Sequence, residues 1–238
     1  MNLSKYIEDI SINKDIGIYV GDLTSIARFY EENCKSDFNA NEYGHVIKSK
    51  FKFLMIINMN RMQFLVKSYL SELRELNPLS CNILLRSLME TSASMTHLFK
   101  NIISIMKDTR LNTENKLREL ELIADKLSLG NKAEPKINDA VNVLTTMKSM
   151  DVFNIKYNFN KTKLSFFDLY SEISEIAHPN FDGYLLNMVK TGDSTIKILD
   201  EQREFLESDY RVVLFLEVNK TYIDAIKSIN FLIENIDK

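Results

Sequence analysis

Residues 51–73 read FKFLMIINMNRMQFLVKSYLSEL, and the spacing within them decides the fold class. Phe51, Leu54, Met55, Asn58, Met62, Leu65, Val66, Tyr69 and Leu73 recur at steps of three and four, as one face of a helix does. Lys48, Lys52, Arg61, Lys67, Glu72 and Arg74 fall mostly off that face. Residues 41–76 hold no proline and one glycine, Gly44, so the spacing predicts a long helix that runs until Asn77-Pro78 stops it.

The same period extends outward in both directions. Thr24 to Cys34 has helical spacing, and residues 1–19 read as an arm or a short helix. Ser80 or a neighbour is expected to cap a helix reaching about Lys107, with Leu84, Leu88, Met95, Leu98, Ile102 and Met106 along it. A shorter helix follows from Thr113, with Gly130 as its natural end. Pro135 suits the first turn of a fifth helix through Met147, and residues 150–162 read as a loop. Phe166 to His178 is helical and is closed by Pro179. Tyr184–Val189 and Thr195–Leu199 flank Lys190-Thr191-Gly192-Asp193, which reads as a short hairpin or extended excursion. Phe205 to Ile236 forms a last long helix. The expected fold is all-α: a helical bundle with two or three long helices, shorter companions, and an extended or hairpin excursion near 184–199. Residues 1–40 are read as an N-terminal arm or short helices, and 41–238 as a single bundle domain.

Composition narrows the function. Six glycines and three prolines in 238 residues are too few for the turns of a many-stranded β fold. Thirty basic against thirty-three acidic side chains leave a net charge of −3, which argues against a general nucleic-acid coat. Cys34 and Cys81 stand far apart with no Cys-x-x-Cys or Cys/His cluster, so a zinc-finger site is excluded and reduced thiols are expected. The opening MNLSKYIEDISINKD is mixed and charged, unlike a signal peptide, and the apolar run from Phe51 to Ile57 is far short of a membrane span. A cytoplasmic protein with no membrane partner, no cofactor and no metal is expected. Lys48, Lys50, Lys52, Arg61 and Lys67 with Phe51, Phe53 and Phe64 read as core phenylalanines beside a solvated lysine side, and the methionines as adaptable core filler.

Two segments carry candidate chemistry. In Leu84 to His97, Arg86 and Glu90 lie one turn apart on one face, and Ser94 and His97 continue that stripe. The pair is either an ordinary surface ion pair, worth about 0.3–0.5 kcal/mol, or one wall of a polar pocket. In Asp168 to Asn180, Ser171, Ser174 and His178 share one helical face, and His178 closes the helix before Pro179. There the macrodipole favours a partly cationic imidazole. The bland reading is a capping histidine. The sharper one makes Arg86, Glu90 and His178 catalytic, with Ser171, Ser174, His97 and Asn180 as binding residues. No nucleophile elbow, P-loop or dinucleotide fingerprint occurs.

LLRSLMET and SEISEIAHPN together resemble a group of bacterial helical proteins similar to the HEPN (higher eukaryotes and prokaryotes nucleotide-binding) superfamily. Such proteins carry an Arg-x-x-x-Glu helix and a later Ser-x-x-x-His segment, here Arg86/Glu90 and Ser174/His178. The resemblance implies an all-α bundle, often dimeric, found in phage-defence and toxin–antitoxin systems. It also implies that active members are metal-independent RNases with Arg, four to six residues, then His on one helix. This chain departs from that motif: residues 171–174 hold no Arg or Lys, and Arg86 lies eleven residues before His97. Three readings follow. The first is a helical protein acting by protein or nucleotide binding, with a protein partner or self-association. The second is an RNase in which His178 is the general base on a ribose 2′-hydroxyl and Arg86 stabilises phosphate charge. The third is a purely structural helical interaction module.

Overall fold

The computed structural model describes residues 3, 7, 17–35, 37–39, 46–75, 77–129, 141–157, 165–178, 188–192, 195–198 and 210–235. Among them are seven α-helices: α1 (Val20–Asn33), α2 (Val46–Arg74), α3 (Pro78–Lys107), α4 (Thr113–Leu129), α5 (Val143–Tyr157), α6 (Phe166–Ala177) and α7 (Tyr210–Glu234). The all-α class is therefore as expected; α2, α3 and α7 are the long helices, with 29, 30 and 25 residues, and four shorter ones make up the seven. Two short strands, β1 (Met188–Gly192) and β2 (Thr195–Ile198), pair antiparallel with Met188 opposite Ile198.

Side-chain caps decide where most helices start. Asn77 accepts from the Ser80 amide at 3.2 Å, which makes Asn77 the cap of α3 and puts Pro78 at the first helical position. Asn112 does the same for α4, accepting from the Asn115 amide at 2.8 Å. Asn142 accepts from Leu144 at 2.9 Å and so begins α5, which the sequence reading began at Pro135, outside the described residues. That helix then continues through 150–157, where a loop was expected. Met147, Met150, Phe153 and Asn154 are buried at helical spacing, so packing of this face overrides local propensity. The cap of α6 comes from outside its own neighbourhood. The Asp151 carboxylate on α5 accepts from Phe166 at 2.6 Å and Phe167 at 3.3 Å.

The chain divides into two compact units, each gathered from three stretches. The first holds Met1–Asn33, Met62–Met89 and Asp168–Asn219. In it α1 buries Leu23, Ile26, Ala27 and Tyr30, one helix face. Tyr69 and Phe215 stack nearly parallel, centroids 4.3 Å apart, and both rings are fully buried. The Tyr30 hydroxyl donates to Asn219 Oδ1 at 2.8 Å, and Asn219 Nδ2 donates to the Phe215 carbonyl at 2.8 Å. This chain of buried bonds fixes Asn219 on both ends.

The second unit holds Cys34–Arg61, Glu90–Phe167 and Lys220–Lys238. Phe99 and Phe153 meet edge to face at 5.2 Å. Lys50 Nζ reaches Glu121 at 2.7 Å and Asp125 at 3.0 Å, and Lys52 reaches Glu234 at 2.6 Å. These partly exposed pairs place lysines of α2 against acids of α4 and α7, so part of the lysine side is salt-bridged. Such pairs add little stability but set register.

Replacing Phe215 with alanine removes the stacked ring from a closed core and is expected to cost about 3–5 kcal/mol in urea unfolding. A loss under about 1 kcal/mol would show that the stack is not a core determinant. Asp151→Ala removes an unusual inter-helix cap and is expected to cost about 0.5–2 kcal/mol, with reduced helicity by circular dichroism.

Candidate functional site

Arg86 is half-buried on α3, and its guanidinium carbon lies 5.5 Å from the centre of the Tyr170 ring on α6. Tyr170 is itself buried, so its face is a desolvated cation–π partner. His178 is exposed at the end of α6, and its backbone amide donates to the Ser174 carbonyl at 3.2 Å, closing the last turn. Tyr170 and His178 are eight residues apart, about 12 Å along a helix axis. The guanidinium is thus engaged two turns before the imidazole. Ser171 is exposed, whereas the Ser174 hydroxyl is buried without a hydrogen-bond partner. Glu90 is half-buried on α3 and is engaged by neighbours. Asn180 lies outside the described residues.

A second polar group of the first unit surrounds Arg211 at the start of α7. Arg211 Nε donates to Asn82 Oδ1 at 2.8 Å, and the Tyr69 hydroxyl donates to the Arg211 carbonyl at 3.2 Å. Burial pushes the guanidinium below its ordinary value, and Tyr69, Glu172, Tyr210 and Cys81 oppose that shift. Burial, then Glu172, raises the Tyr210 phenol to about 12. Burial, then Glu72, raises the Cys81 thiol to about 12, and burial raises Cys34 to about 11. Both thiols therefore stay protonated near neutral pH and are poor nucleophiles. Sequence reading did not single out Arg211. The available signal was a lone arginine at the head of the apolar run VVLFL.

His97 belongs to the second unit. Its Nδ1 lies 2.9 Å from the Ser149 hydroxyl, which itself donates to the Thr145 carbonyl at 3.1 Å. A hydroxyl has one hydrogen, so Ser149 accepts from His97 Nδ1–H, and the lone pair of the neutral ring sits on Nε2. Burial first, and the Lys100 charge second, lower the pKa of this imidazole. Sequence spacing put His97 on the Arg86 stripe. In the structure its hydrogen-bond partner is Ser149, on α5.

Glu-x-x-His occurs twice in the chain, at Glu42–His45 and Glu175–His178, the spacing that di-iron bundles use on two helices. Glu42 and His45 lie outside the described residues. Among the described residues no three His, Cys, Asp or Glu side chains come together as metal ligands. Nor is any helix among them long and apolar enough to cross a membrane. The chain matches no known protein family, curated protein or solved structure.

The half-buried neutral His97 has a pH consequence. Its folded pKa is depressed, so the unfolded chain binds the extra proton first as pH falls through about 6.5. Stability from this group is present above that value and is lost below it. The urea midpoint should drop between about pH 7.5 and about pH 5.5, and His97→Gln should shrink that drop. An unchanged pH dependence in the variant would mean that His97 does not carry the effect.

Proposed function

We propose that this chain is a HEPN-like helical protein that works by binding a protein or a nucleotide rather than by cutting RNA. Its setting would be bacterial phage defence or a toxin–antitoxin pair, a placement that rests on the resemblance of its two sequence strings. The observation that carries the preference for binding over cleavage is the seat of Arg86 on the Tyr170 face. Cleavage by the alternative route needs a general base and a phosphate-stabilising cation on one phosphodiester, each within hydrogen-bond reach. Here the cation is stacked on a buried ring about two helical turns before the exposed His178. The same stacking is also what an internal packing role for Arg86 would look like, so the interaction-module reading keeps some support.

RNA cleavage assayed in chelator decides between binding and catalysis. The expected result is no cleavage by the native chain beyond that of Arg86→Ala and His178→Ala. Metal-independent cleavage that disappears in either variant would overturn the proposal in favour of the RNase. Sedimentation of the native chain is expected to show self-association, consistent with a protein partner of its own kind.

A further inference from the structure

Three lysines surround one cleft of the second unit. Lys100 and Lys107 come from α3, seven residues or about 10 Å of helix apart, and Lys156 comes from α5. All three are exposed. The cleft has a volume of about 190 Å³, and the edge-to-face pair Phe99 and Phe153 forms part of its wall. No acidic residue lines it. The acids beside it in sequence are already committed. Asp108 is held by Arg110 at 2.6 Å, and Asp151 caps α6. The Ser149 hydroxyl in the wall is likewise satisfied, donating to Thr145 and accepting from His97. Ligand recognition therefore falls to the ammonium groups and the apolar wall, where Ile103 and Val152 are partly exposed.

Like charges around an apolar concavity concentrate positive potential there. The Lys100 charge is already felt at His97, which it helps to keep neutral. No arginine lines the cleft, so the planar fork that grips a carboxylate is missing. Ammonium groups act as point charges, a role they commonly play toward phosphate. The apolar wall favours an occupant with a carbon body. The volume is below the roughly 300–1,000 Å³ of sites that enclose a drug-sized ligand, so it suits a small head with one ring or a short chain.

We infer that the cleft between α3 and α5 binds an organic phosphate, with Lys100, Lys107 and Lys156 on the phosphate and Ile103 and Val152, backed by the buried Phe99 and Phe153, against its apolar body. None of these residues belongs to the Arg86–His178 region, so the inference stands or falls separately from the RNA question.

Calorimetric titration of the full chain with phenyl phosphate, hexyl phosphate and inorganic phosphate tests it. At least one organic phosphate is expected to bind saturably and roughly tenfold or more tighter than inorganic phosphate. Preference for phenyl phosphate would identify an aromatic body and preference for hexyl phosphate an aliphatic one. Lys100→Ala, Lys107→Ala and Lys156→Ala should each weaken binding roughly three- to tenfold, while Lys35→Ala, an exposed lysine away from the cleft, should not. Ser104→Glu, which sets a carboxylate at the exposed rim, should abolish binding. These surface changes leave the core untouched, and an unchanged urea midpoint checks that. Binding no tighter than inorganic phosphate, or full affinity in the triple lysine variant, would overturn the inference.

Discussion

The Asp151 carboxylate sets where α6 begins. Its two oxygens take the amides of Phe166 and Phe167, so a residue of α5 caps the first turn of α6 from fifteen residues away. A helix has only one phase once its first turn is fixed. That phase turns Phe166, Tyr170 and Ile173 inward and leaves Ser171, Glu172, Glu175 and His178 exposed. The Arg86 region inherits its geometry from this constraint. The Tyr170 ring offers its face to Arg86, and α5, which provides the cap, also carries Ser149, Phe153 and Lys156.

Buried polar groups divide into two kinds. Some are satisfied on every side, such as Asn219 between Tyr30 and Phe215, or Ser149 between His97 and Thr145. These specify packing. Others keep an atom with no hydrogen-bond partner among the described residues: Asn82 Nδ2 and the Tyr210 and Ser174 hydroxyls in the first unit, and the Thr221 hydroxyl in the second. An unsatisfied buried polar atom costs about 1–3 kcal/mol.

Charge is distributed with similar selectivity. Lysines of α2 meet acids of α4 and α7, so the charges of Lys50 and Lys52 are compensated within the second unit. The lysines between α3 and α5 meet no acid in the cleft wall. A net charge of −3 hides this contrast, because summing over the chain averages a compensated face with an uncompensated one.

Helical class, the long α2 and its stop at Asn77-Pro78 were legible in the sequence, because a helix face is written at steps of three and four and proline ends it through local sterics. The loop expected at 150–157 was not helical by propensity, and only burial of Met150 and Phe153 made it so. The partners of Arg86 and His97 were also beyond reach. Helical spacing joined Arg86 to Glu90 and His97 on one stripe, whereas the structure sets Arg86 on Tyr170 and His97 on Ser149, 84 and 52 residues away in the chain. Periodicity along one helix is a local property that the sequence by itself determines. Which groups from distant helices share one buried volume depends on packing and desolvation, and only the tertiary structure decided that.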